Sequence, residues 1–389
     1  MTEKIQKVED IAYYVLFAVL YIRQFLRTTM FTVSMNMKIL DLIGYAAAGL
    51  LVPLALYNVY IFWKKDRKIA LLLAAVLVSG VGSLFIGKNR TLIILCVLIV
   101  SSVGRKLEII AKISLVSGVL LMIVAYLASI NGYIPYLIDP EPDGRVNLGL
   151  GILYSTDFAA HVLYLAMTYV WLRKDKMHAY EYLLLWCANL LMWRYSGARA
   201  NTGLLSLFLL CFAIMKLFEK KIRIYPKPAA SVHVICAVIT FILYLFRQKL
   251  SAIPAFTEYT GRLFLSETGI KRYGLSLFGK VIEENGEGGL FFDPSKGIFF
   301  LDIAYVRILL MYGVFFLAVY LIWMTFVTYR SALNQDIVLC LVLAAVALAS
   351  MVEHHSIDYC YNIFLFAPVL SLVQREPITK KEGSQNEHS

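Results

Sequence analysis

The chain has 389 residues, of which 60% are hydrophobic and only 16% charged, against about 25% charged in soluble domains, which excludes a water-soluble globular fold. Its formal net charge of +11 is scattered over many short segments, which excludes a nucleic-acid-binding face and fits loops beside anionic lipid headgroups. All six cysteines, Cys96, Cys187, Cys211, Cys236, Cys340 and Cys360, fall inside apolar runs, and no CxxC or Cys/His metal spacing exists.

The polar N-terminus reaches Asp10 and is followed by an apolar run that contains Arg23 and Arg27 without a small-residue cleavage site, which reads as an uncleaved first span. Including that one, apolar runs predict spans near 11–30, 39–63, 69–87, 91–104, 108–130, 151–172, 180–195, 202–218, 231–247, 299–329, 337–352 and 358–373. The expected fold is therefore an all-α polytopic bundle of about twelve spans, a single membrane domain over 1–373 with a disordered cytoplasmic tail over 374–389. With the N-terminus inside, the inside loops hold 20 Lys and Arg, led by Lys64-Lys65-Asp66-Arg67-Lys68 and Arg173-Lys174-Asp175-Lys176, against 7 in the short outside loops. The basic excess places both termini in the cytoplasm.

Two outside segments are longer than a connection needs. Residues 131–150 carry Pro135, Pro140 and the turn Pro142-Asp143-Gly144, which predicts an ordered loop. Within 247–298, Ile270, Tyr273, Leu277, Phe278 and Val281 recur at helical spacing and predict an amphipathic helix over the outer mouth of the bundle. The two halves share no obvious hydropathy pattern, which argues against a transporter built from repeats.

Ionisable groups at membrane depth are costly and so point to function. Lys112 and Asp41 sit near span ends and read as snorkelling or paired groups, and Arg307 reads as a partner of nearby Asp302. Asp157 and His161 stand at i and i+4, on one helix face below the outer mouth. They are read either as a proton-accepting imidazole oriented by a carboxylate, or as a structural bond between helices. Arg145, Arg199 and Arg262 all fall on the outer side, and guanidinium groups suit a diphosphate because they stay charged and bind bidentately. Glu353-His354-His355-Ser356-Ile357-Asp358 forms the outer turn between the last two predicted spans. Adjacent histidines point different ways on a helix and no spaced further ligand follows, so no metal is expected, while a carboxylate or imidazole of this turn, or Asp302, offers a base.

In order along the chain, Arg145 through His161 (R-x-N-x-G-x…Y-S-T-D-F-A-A-H), Ser196-Gly-Ala-Arg199, Gly261-Arg262 and Leu301-Asp302…Tyr312-Gly313 span about 170 residues. This ordered set resembles the bacterial surface-polysaccharide polymerase superfamily, the Wzy-type polymerases together with O-antigen ligases. Ser155 stands where members often carry Pro, and Ile303 where Asn is more usual. The resemblance implies a multi-pass glycosyltransferase of a bacterial cytoplasmic membrane, independent of metal or cofactor, making capsule, exopolysaccharide or O-antigen on the outer side. Donor and acceptor would be oligosaccharides on polyprenyl diphosphate carriers such as undecaprenyl diphosphate. Arg145, Arg199, Arg262 and His354 would hold diphosphate and glycan, and Asp157 with His161, or Asp302 or Glu353, would take the acceptor proton. Membrane lipids, a flippase and a chain-length regulator are the implied neighbours. The chain also lacks a cytoplasmic acidic pair, GxGxxG or GxxxxGK for a nucleotide, which points to a lipid-borne donor. Two other classes carry some of the same features: a flippase for lipid-linked oligosaccharide, and a non-catalytic membrane scaffold or sensor. An O-antigen-type ligase would share nearly all of them.

Overall fold

The computed structural model describes residues 2–140, 144–218, 222–286 and 289–367. Helices α1 (Thr2–Leu26), α2 (Met37–Lys65), α3 (Arg67–Phe85), α4 (Arg90–Ser101) and α5 (Leu107–Ile130) follow one another through short connections. Next come α6 (Ser155–Arg173), α7 (Ala179–Ser196), α8 (Arg199–Leu217) and α9 (Val232–Leu245). After α10 (Thr257–Tyr273) come α11 (Ala304–Leu333) and α12 (Ile337–Ala349). Side-chain caps start several of these helices: Asn36 accepts from Lys38 N at 3.1 Å, Asp66 from Lys68 N at 2.9 Å, Asn89 from Thr91 N at 3.0 Å and Asp336 from Leu339 N at 3.0 Å.

Among the described residues five helices, α2, α3, α5, α8 and α11, are long and apolar enough to cross a membrane. Their outward faces expose residues such as Leu42, Leu50, Leu71, Leu120 and Leu210, as expected of lipid contact, so the chain is an all-α membrane protein. The core starts from α1, where Tyr13, Phe17, Tyr21 and Phe25 recur every fourth residue and are fully buried. The short α4 rises only about 18 Å, less than the roughly 30 Å of a hydrocarbon core. It packs against α2 and α3, and Leu92 and residues 94–101 are buried, so protein rather than lipid surrounds it.

Three expectations change. Residues 350–367, which include the start of the predicted twelfth span, form turns and the 3-10 segments His355–Ile357 and Ile363–Phe366. Polar side chains tie that backbone into turns: Cys360 N donates to Asp358 Oδ1 at 3.1 Å, Asn362 Nδ2 to Ser356 O at 2.7 Å, and Phe364 N to Asn362 Oδ1 at 3.1 Å. The rest of that span, residues 368–373, and the expected tail over 374–389 lie outside the described residues. Second, the helix of the long loop is α10, not a helix through Val281. It buries Thr260, Leu263, Ser266 and Gly269, a mostly small and polar face that gives no apolar periodicity. Third, Arg307 pairs with Glu284, not Asp302. The segment over 131–150 holds a hairpin, β1 (Ile138–Pro140) antiparallel to β2 (Val146–Leu148), while Pro142 and Asp143 of its predicted turn lie outside the described residues.

Beyond α10, residues 274–286 run as a strap over a break in α11. There Ile308–Tyr312 form a π-helical turn that frees backbone groups, and the strap takes them up. Lys280 N donates to Leu310 O at 3.0 Å, Val314 N to Ser276 O at 3.0 Å and Phe315 N to Leu277 O at 3.1 Å. Gly279 and Gly313 interlock at φ +86° and +93°, where a Cβ on Gly279 would meet Met311 O at 2.1 Å and one on Gly313 would meet Leu277 O at 2.3 Å. Gly313→Ala therefore brings both left-handed strain and a backbone clash, and is expected to destabilise by about 2–5 kcal/mol. Gly261→Ala, inside α10 with nothing within 4 Å of the added methyl, is the matched control, expected to be neutral or slightly stabilising. Thermal unfolding of both in detergent checks this; equal melting temperatures would show that the strap does not lock α11.

Candidate functional site

The turn after α12 folds back onto the start of α11, because Ala304 N donates to Ser350 O at 3.0 Å and to Glu353 O at 3.2 Å. That return sets Glu353, His354 and His355 beside Asp302 and beside Asp157 in the first turn of α6. His355 lies between two carboxylates, with Nε2 3.1 Å from Asp157 Oδ1 and Nδ1 3.3 Å from Glu353 Oε2. Glu353 Oε2 in turn accepts from Asn201 Nδ2 of α8 at 3.1 Å. Glu353 Oε1 is buried without a hydrogen-bond partner among the described residues, a cost that points to function more than to stability.

His354 stacks on His355 with ring centroids 4.1 Å apart and planes 27° apart, and its Nδ1 faces Asp302 Oδ1 at 3.8 Å. The expectation that the two adjacent rings diverge is thus corrected: His354 caps the short 3-10 turn His355–Ile357 from outside it, and the rings lie face to face. Asp302 also pairs with Arg262 Nε of α10 at 3.2 Å, and Arg262 Nη1 donates to Val352 O. Next to them, Arg307 holds Glu284 of the strap through two bonds of 2.8 and 2.7 Å.

Burial opposes charge on His355, yet its hydrogen bonds to Asp157 and Glu353 outweigh that and push its pKa up to about 10. Burial, then the charge of His355, hold His354 well below the usual histidine range. Burial raises Asp302 above the ordinary carboxyl range, with Arg262 working in the opposite direction. At neutral pH the pair is an imidazolium, His355, stacked on a neutral imidazole, His354. One is a fixed cation and the other a free base.

Of the residues singled out in the sequence, Asp157, Asp302, Glu353, His354 and Arg262 come together here. His161 does not. It is fully buried, bonded through Nε2 to Thr28 Oγ1 at 2.9 Å and stacked between Phe25 and Tyr361 with centroids 4.1 and 3.9 Å away. The expected i to i+4 pairing of Asp157 with His161 is replaced by pairing with His355. Arg199 pairs with Glu258, one turn before Arg262 on α10, and both members of that pair are exposed. Arg145 is exposed just before β2, whose Asn147 packs against Gly197 between α7 and α8. The structure places His355 between two carboxylates and adds Asn201 and the Arg307–Glu284 pair.

Asp157, His354 and His355 each offer a donor atom, all within 4.8 Å of one another, a spacing that a divalent ion can bridge. To ligate, His355 would have to give up the proton that its two carboxylates hold in place. No protein-family model, no curated protein and no solved structure matches this chain.

Proposed function

We propose that the chain is a membrane glycosyltransferase that joins polyprenyl-diphosphate-linked oligosaccharide repeat units into longer glycan, a polysaccharide polymerase. The observation that carries this reading is the meeting of a guanidinium, Arg262, with a neutral imidazole, His354, and a carboxyl, Asp302, at the end of the bundle where the long loop packs. In this reading the donor diphosphate lies against Arg262, with Arg199 and Arg145 nearer the surface. Electrostatic stabilisation of the charge on a leaving group is the largest contribution such a site makes. A hydroxyl of the acceptor sugar attacks the donor anomeric carbon. The new C–O bond forms as the bond to the diphosphate oxygen breaks, and the electron pair leaves with polyprenyl diphosphate. The hydroxyl proton passes to His354. Asp302 beside Nδ1 favours the tautomer that keeps the lone pair on Nε2, while the His355 imidazolium, held by Asp157 and Glu353, keeps the neighbouring imidazole neutral. The span arrangement that goes with this is about twelve spans with both termini cytoplasmic, in a bacterial inner membrane, with a flippase and a chain-length regulator as neighbours.

Purified protein supplied with lipid-linked repeat units and no nucleotide sugar is expected to yield a ladder of longer glycans. The ladder is expected to persist in a chelator, because His355 is protonated and both of its nitrogens are engaged. Loss in chelator with recovery on adding zinc or manganese would assign Asp157, His354 and His355 to a metal. A single transfer onto a different acceptor would make the chain a ligase. No ladder, with lipid-linked oligosaccharide crossing reconstituted vesicles, would make it a flippase.

A further inference from the structure

A second charged site lies across the strap from the His354 cluster. Between the end of α1, the start of α2 and the connection from α3 to α4 is a cavity of about 310 Å³, roughly 20–30 times the 10–15 Å³ that one water needs. Arg23, Arg27, Lys88, Arg90 and Lys280 line it, and Asp41 is the one carboxylate lining it among the described residues. Arg23 Nη2 and Arg27 Nη1 both bond the same oxygen of Asp41, at 2.8 and 2.6 Å, so even this pair of cations is only half neutralised. Arg23 is 4% exposed and its Nε has no hydrogen-bond partner among the described residues. Its guanidinium is fitted against Gly44, where a Cβ would stand 2.1 Å from Arg23 Cδ. Lys88 is held at φ +54°, a backbone conformation that a non-glycine residue adopts only under constraint. Of the five only Arg23 is buried; Arg27, Lys88, Arg90 and Lys280 are exposed, and Lys280 Nζ donates to Tyr273 O, so the cavity mouth carries an excess of positive charge that an anion would offset.

We infer that this cavity binds the diphosphate of a second polyprenyl carrier, distinct from the one placed against Arg262. The inference rests on the polymerase reading, in which donor and acceptor each bring a lipid diphosphate. Three observations favour it. Guanidinium groups match phosphate oxygens bidentately. Beside the cavity, Ile39 and Leu42 of α2 and Phe85 and Ile86 at the end of α3 are exposed apolar side chains, a surface along which an isoprenoid tail can lie. The strap also supplies residues to both sites: Lys280 lines the cavity, and Glu284 four residues later holds Arg307 beside Asp302. Two diphosphates so placed would lie beside neighbouring parts of one strap, at Lys280 and at Glu284.

Native mass spectrometry of the detergent-purified full chain with undecaprenyl diphosphate tests this. The wild type is expected to hold two lipids and the Arg27→Gln/Arg90→Gln variant one, with the second affinity weakened at least about tenfold. Should that variant aggregate, Lys88→Gln/Lys280→Gln serves the same purpose, with monodisperse elution as the folding check. Equal concentrations of phosphatidylglycerol are expected to leave both lipids bound, while inorganic pyrophosphate competes weakly. A wild type that binds one lipid, or variants that still bind two, would overturn the inference. Displacement by phosphatidylglycerol would make this a general anionic-lipid site, and binding of pyrophosphate without the lipid a site for a soluble anion; each also overturns it. Two lipids bound without any glycan ladder would leave this site standing and remove the polymerase reading. A ladder formed with one lipid bound would do the reverse.

Discussion

Arg262→Ala is expected to slow glycan chain extension by about 10²–10³-fold, the usual cost of removing one group that stabilises charge on a leaving oxygen. Its guanidinium uses Nε on Asp302 and Nη1 on Val352 O, leaving further N–H groups of its five for a diphosphate. The fold is expected to survive the change, because Asp302 already has a raised pKa and can become neutral when its cation leaves. Arg262→Lys keeps charge without the planar fork and is expected to retain part of the rate. Arg199→Ala is the instructive contrast. Its partner is Glu258, and with side chains 55% and 72% exposed the pair contributes at most about 1 kcal/mol, so stability is unchanged and the rate loss is smaller. Initial rates of ladder formation, normalised to monodisperse protein, check the series. Extension by Arg262→Ala within about threefold of wild type would remove the diphosphate from this position.

The elements that lie in the apolar part of the bundle were legible, because apolar runs of sufficient length admit few other structures in lipid. Of the cluster, Asp157, Asp302, Glu353, His354 and Arg262 stood out in the sequence, but neither their pairings nor the places of His355 and Asn201 did. Asp157 and His161 share a face of α6 by periodicity, but a common face does not say which side chain from elsewhere packs there. The answer is His355, 198 positions further on, while His161 lies in an aromatic stack. Arg307 is closer in sequence to Asp302 than to Glu284, yet the strap carries Glu284 across the break in α11 and leaves Asp302 to Arg262. The helix of the long loop was misplaced for a related reason. Leu277, Phe278 and Val281 are apolar because they belong to a strap, Phe278 fitting against Gly82 of α3, and the real helix buries Thr260, Ser266 and Gly269 where an apolar stripe was sought. Two glycines at positive φ, Gly279 and Gly313, mark the interlock, and Gly313 stood in the sequence motifs without a role that spacing alone could assign.

The two stacked histidines make opposite predictions about pH. His354→Asn is expected to lower kcat by about 10²–10⁴-fold, the range for loss of a general base, with little change in the number of lipids bound. Because burial and the charge of His355 hold His354 well below the usual histidine range, it is already unprotonated at neutral pH. Wild-type activity should therefore fall only on the acid side and stay level through neutrality. A base at His355 would behave otherwise: with a pKa pushed up to about 10, it would be idle near pH 7 and activity would climb towards pH 10. His355 instead governs stability. Its folded pKa is raised above the unfolded value of about 6.5, so its contribution is complete below that pH and is lost as pH rises towards about 10. The melting temperature of the wild type should decline across this window, and the decline should flatten in Asp157→Asn and His355→Asn. Activity that rises steadily to pH 10, or a His354→Asn variant as active as the wild type, would move the proton acceptor from His354 to its neighbour.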